Sequence, residues 1–185
     1  MTPRILVAYA SKHGATRAIA ERIAATLQAA GLAATALPVD EVTDPTPYDA
    51  FVIGGAAYYG SWLKEATAFV RHNQEILTAH PVWLFSSGPL GTATTDDQRH
   101  DVLVAAEPTE FAVFKEAIAP RGTRVFFGVL DLGTLGFAER VVRALPAGRA
   151  LLPEGDFRDW EAIESWAASI ARALAPQPAA APFSL

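Results

Sequence analysis

Residues 5–24 read ILVAYASKHGATRAIAERIA. With Arg4 in front, the run 4–9 is the apolar, β-branched kind that is buried on both faces of a parallel sheet. A polar turn, Ser11-Lys12-His13-Gly14, follows it. Ile19, Ile23 and Leu27 then recur every four residues and mark one face of a helix. Gly31 falls where a left-handed helix cap belongs. Strand, turn and amphipathic helix make up the first half of a β–α–β crossover unit.

The same alternation continues outward. Residues 33–39 form a weaker strand, and 40–49 an acidic loop with two prolines. Ala50 to Gly55 reads as a short buried strand with a glycine stop. Leu63, Ala66, Phe69, Val70 and Leu77 mark a second amphipathic helix. Val82 to Phe85 is the next strand, followed by a long excursion over 90–123, with short helices near 97–106 and 109–118 split by Pro108. Val125 to Leu130 is the fifth strand, and a short helix is expected at 136–145. The last helix, 159–174, turns Trp160, Ile163, Trp166, Ile170 and Leu174 inward, with Asp159 as its N-cap. Five such units predict an α/β, doubly wound parallel sheet of order 2-1-3-4-5 with helices on both faces. One domain is expected over 1–175, with a flexible Pro/Ala-rich tail at 176–185.

Composition removes several classes of function. The 185 residues are 51% hydrophobic with a net charge of −5, and no basic run offers a grip on a nucleic acid. There is no cysteine, so redox work by this chain needs an organic cofactor. His13, His72, His80 and His100 lack metal-site spacing, and no metal is expected. No apolar run reaches the roughly 18 residues of a membrane helix, and the one behind Met1 is too short for a signal peptide. A cytoplasmic protein, monomer or homodimer, is the expectation.

In this topology ligands bind beyond the carboxyl ends of the strands. The loop Ser11, Lys12, His13, Gly14, Ala15, Thr16 offers hydroxyls and a helix N-terminus to a phosphate. It matches neither the Walker A spacing nor GxGxxG, and an ordinary capped helix start is its alternative. After strand 3, Ala56 and Ala57 allow close approach, while Tyr58, Tyr59 or Trp62 beside Gly60 offer a wall for a flat ring. The alternative is that these aromatics simply cover the next helix. After strand 4, Ser86, Ser87, Gly88 and Gly91 form a hydroxyl-rich turn suited to a hydrogen-bonding edge, or a plain turn. A phospho-accepting receiver needs an Asp at the end of strand 3, where Gly54-Gly55 stands instead.

The segments ILVAYASKHGATRAIAERIA, YDAFVIGGAAYYGSWLKEATAFV and GDFRDWEAIESWAASIA resemble the flavodoxin family, within it the branch of menaquinone-dependent protoporphyrinogen oxidase. Its phosphate loop, [ST]-x-[ST]-G-x-[ST], is matched at Ser11, Gly14 and Thr16, with His13 where a hydroxyl is usual. The resemblance implies a flavodoxin-like fold and FMN as cofactor. It also implies a ring lying against Tyr58, Tyr59 and Gly60, with a Gly60 peptide that turns toward N5 of the reduced ring.

Three functions follow from it. The first is an FMN-dependent oxidoreductase passing electrons from a reduced donor to a quinone, small-molecule or redox-protein acceptor. The second is a flavodoxin electron carrier, and the third a cofactor-free binding module. No catalytic acid or base stands out, and the 90–123 excursion has no basic or aromatic cluster suited to a porphyrin.

Overall fold

The computed structural model describes residues 2–96, 98–130 and 154–175. The chain opens with β1 (Arg4–Ala10), α1 (Ala15–Ala29) and β2 (Ala33–Pro38). Next come β3 (Ala50–Tyr58), a two-residue β4 (Ser61–Trp62), α2 (Lys64–His72) and α3 (Gln74–Ala79). They lead to β5 (Val82–Ser87), α4 (Val102–Ala105), α5 (Thr109–Ile118) and β6 (Gly122–Phe126). After β7 (Val129–Leu130) and β8 (Gly155–Asp156), α6 (Trp160–Leu174) ends the described chain.

Five strands pair in parallel in the order β2-β1-β3-β5-β6, and β4 folds back antiparallel on β3. This is the expected 2-1-3-4-5 once β4 is set apart. Alternate residues of β1 serve the two faces. Ile5, Val7 and Tyr9 meet Ile19, Ile23 and Leu27 of α1 and Ile163 and Ile170 of α6. Leu6, Ala8 and Ala10 meet the side of α2, α3 and α5. Each fully buried Ile or Leu of these faces contributes roughly 1.5–3 kcal/mol. Gly31 closes α1 at φ 85°, its N–H donating to the Gln28 carbonyl, and the Asp159 carboxylate caps α6 by accepting from Ala162 N at 2.9 Å.

Four expectations need correction. The third strand does not stop at Gly54-Gly55 but runs to Tyr58. Those glycines are hydrogen-bonded strand residues whose missing side chains make room for aromatics. A Cβ on Gly54 would overlap the Phe85 ring, and one on Gly55 would lie 2.6 Å from the Trp62 indole nitrogen. The second helix is two, broken at Asn73, whose side-chain amide donates to the Phe69 carbonyl.

The helix placed at 97–106 shrinks to Val102–Ala105. Its start is fixed by Asp101, which accepts from Leu103 N and Val104 N, while Asp96 holds the backbone of Gln98 and His100 in a turn ahead of it. The fifth strand ends at Phe126 rather than Leu130. Beyond it Gly128 bonds to Pro89 and Phe157, and Val129–Leu130 pairs antiparallel with β8. The helix expected at 136–145 and the tail at 176–185 lie outside the described residues.

Candidate functional site

A cleft opens at the carboxyl ends of β1, β3 and β5, enclosing about 180 Å³. From the first loop Ser11, Lys12, His13, Ala15 and Thr16 line it. Gly14 stands behind them as the N-cap of α1, at φ 82°, its N–H donating to Ser11 Oγ at 3.1 Å. Among the described residues no side chain caps α1. The N–H groups at its opening and the positive end of its dipole face the loop. Lys12 and His13 are exposed beside it, and the Lys12 ammonium lies 5.1 Å from the centre of the Tyr58 ring. Just before the loop, burial pushes the Tyr9 phenol above its ordinary range while Arg17 pulls the other way.

From the second loop Ala56, Ala57, Tyr58 and Tyr59 line the cleft, while Gly60 and Trp62 do not. Tyr59 and Gly60 form the two-residue tip of the β3–β4 hairpin, with Tyr58 opposite Ser61. Both carry positive φ, 53° and 78°, as a type I′ turn requires. Tyr59 therefore holds a strained backbone while its side chain is 97% exposed. Trp62 has gone the other way. It is buried, its indole N–H donates to the Gly55 carbonyl at 2.9 Å, and its ring meets Phe111 and Phe114 edge-on. It covers the start of α2 and offers no wall to the cleft.

The third loop contributes Ser87 and Gly88, not Ser86 or Gly91. Strand alternation explains the division. Ser87 follows Phe85 on the α1 face, whereas the buried Ser86 hydroxyl points to the other face and has no partner among the described residues. The Gly88 N–H is already spent on the Phe126 carbonyl at 3.3 Å, so it is no donor for a ligand edge. Ser87 Oγ lies 2.8 Å from Thr16 Oγ1, which joins the first and third loops inside the core.

Leu90, Gly128, Val129 and Leu130 complete the lining. The apolar run of Gly128, Val129 and Leu130 hid these three within an expected strand. Together the wall pairs an uncapped helix start, the Lys12 ammonium and the His13 imidazole with an apolar slot, and no carboxylate lines it among the described residues.

Residues 6–145 match a family model described as a flavodoxin domain, which is more than half of the chain. The chain belongs to the flavodoxin domain family. Among solved structures, this flavodoxin domain is similar to a flavodoxin from the domain Archaea (14% identity, 92% of this chain and 97% of that one, TM-score 0.55). It is also similar to a cysteine-to-serine mutant of flavodoxin from Pseudomonas aeruginosa (18%, 92% and 98%, TM-score 0.56). Oxidised flavodoxin 2 from Bacillus cereus is a third (21%, 92% and 99%, TM-score 0.53). At these identities the likeness is one of fold. No curated protein matches the chain at a significant level. Among the described residues no helix is long and apolar enough to cross a membrane.

Proposed function

We propose that this flavodoxin domain holds FMN in the cleft and serves as an electron carrier between a redox donor and an acceptor. The observation that carries the proposal is the start of α1, uncapped and flanked by Ser11, Lys12, His13 and Thr16 on the cleft wall. An anion fits there, because it accepts from unpaired N–H groups and hydroxyls and neutralises the dipole. The rest of the wall fits a flat ring. Ala56 and Ala57 leave room for close approach, and Tyr58, Leu90, Val129 and Leu130 supply apolar surface.

Bound FMN supplies one- and two-electron redox chemistry. The chain's own part is to bind, orient and tune. Ser11 braces Gly14 so that the loop stays open, and Lys12 adds positive charge above it. At the hairpin, the Gly60 carbonyl already accepts from Thr109 N at 3.1 Å. The peptide left to turn toward a ring is therefore the one between Tyr59 and Gly60. The enclosed volume is below the roughly 300 Å³ of a pocket that swallows its ligand. A cleft of this size leaves part of an elongated ligand at the surface, which suits electron exchange with a partner.

Likeness in fold over 92% of the chain to three flavodoxins favours a carrier over the quinone- or porphyrinogen-coupled oxidoreductase. The test is a visible absorption spectrum of the purified protein, before and after FMN is added and excess removed. A retained flavin band, released as FMN on denaturation, with electrons passed to redox proteins and no turnover of menadione or protoporphyrinogen, is the expected result. Turnover of either compound establishes the oxidoreductase. No retained band and a flat titration remove the redox function and leave a cofactor-free module.

A further inference from the structure

Thr16 and Ser87 approach from opposite sides of the cleft floor, one from the first turn of α1 and one from the last residue of β5. Their hydroxyl oxygens are 2.8 Å apart, and the two residues are 0% and 2% exposed. A hydroxyl carries one proton and two lone pairs. One bond between two hydroxyls uses one of the two protons, whichever residue donates. A threonine inside a helix usually spends its proton on the carbonyl four residues back. Four residues before Thr16 is Lys12, ahead of the helix, and the Thr16 hydroxyl bonds to Ser87 instead. The pair thus keeps a surplus proton in a buried place that borders the cleft. Leaving such a donor without an acceptor is costly, and an anion at the start of α1 removes the cost.

We infer that Ser87 is a positioning residue that aims the Thr16 hydroxyl at a phosphate. Ser87 donates to Thr16, and Thr16, its lone pair so occupied, donates to a phosphoryl oxygen. Without a phosphate the pair runs in either direction. With one accepting at Thr16, this direction is the one that satisfies both protons. The pair makes the site select a phosphorylated flavin over the same flavin lacking the phosphate. This inference rests on the FMN proposal above and adds to it a residue from β5, outside the loop that receives the anion.

The test is calorimetric titration of flavin-stripped full chain with FMN and with riboflavin. The wild type is compared with Ser87→Ala, Thr16→Val and the double variant. Ser87→Ala is expected to weaken FMN about tenfold, as for loss of a bond to a charged group, and riboflavin less than about twofold. Thr16→Val should do the same, and the double variant should be little worse than either, because both changes break one relay. Ser87→Thr, which keeps the hydroxyl, should restore the preference for FMN. Should Ser87→Ala not fold, Ser87→Cys keeps the shape with a weaker donor and should show the same selective loss. Equal losses for both flavins, or additive losses in the double variant, overturn the inference and leave FMN binding intact. A wild type that binds neither flavin overturns the FMN proposal and this inference together.

Discussion

The loop at 11–16 and the hairpin at 58–62 line the same cleft and are built in opposite ways. The loop leaves donors uncommitted, since no side chain caps α1 and the Thr16–Ser87 pair has one proton to spare. The hairpin commits nearly everything to the fold. Gly60 accepts from Thr109 N, Trp62 N donates to Glu110 Oε2, and the Trp62 indole donates to Gly55. At its tip, the exposed Tyr59 side chain and the peptide that follows remain for a ligand. A polar ligand end is thus met by unsatisfied groups, and a flat one by surface on a rigid frame. On the proposed function, affinity would be concentrated at the loop, while the hairpin would set where a ring lies.

The contrast can be broken hardest at the frame. Trp62→Ala removes a buried indole with its hydrogen bond and should cost about 3–5 kcal/mol in urea unfolding. Stability should fall far more than flavin affinity measured on the folded fraction. At the loop the order reverses. Ser11→Ala with Thr16→Ala should weaken FMN at least tenfold by fluorescence titration while costing about 1–2 kcal/mol of stability. Unchanged affinity would remove the phosphate assignment.

A subtler probe is Gly60→Val. Its φ of 78° makes a β-branched residue cost about 1–2 kcal/mol. It should also shift the two one-electron potentials of bound flavin, read by spectroelectrochemistry. Unmoved potentials would show that the hairpin peptide does not meet the ring.

The smallest effect lies behind the hairpin anchor. Glu107 joins the segment before α5 to Lys115 and to Thr123 of β6, each at 2.7 Å. Burial pushes its carboxyl up, but the Lys115 and Thr123 bonds outweigh this and hold it below the ordinary glutamate range. A lowered carboxyl stabilises the fold above the ordinary value and loses that contribution as pH falls through the lowered one. Glu107→Gln should therefore cost under about 1 kcal/mol near pH 7, the pair being partly exposed. In thermal melts the gap to wild type should close in acid.

Residues 5–24 made the first strand, loop and helix legible, because period, turn residues and helix face coincide in one stretch. The strand order followed from repeating that unit. What escaped reading depends on partners distant in sequence. Gly54-Gly55 has the composition of a strand end, and only Phe85 and Trp62 lying over it show why the strand continues. Trp62 looked like a ring wall because nothing nearby announces Phe111 and Phe114, which bury it. Gly128 to Leu130 reach the cleft beside Leu90 through the Gly128–Pro89 bond, which has no local signature. The turn at 11–16 and the helix start behind it were legible from residue type and spacing, whereas the tie of Thr16 to Ser87 needed the register that sets Ser87 beside Ala56.

The bare stretch at Gly54-Gly55 has an evolutionary consequence. Phe85 presses on it from the α1 face and Trp62 from the other, each filling the volume of a missing side chain. Neither position can drift alone. A descendant that gains a side chain at 54 must shrink residue 85, and one that gains it at 55 must give up the indole at 62 and the carbonyl bond that goes with it. In an alignment of close relatives the two pairs should therefore vary together, each independently of the other, because the sheet stands between them.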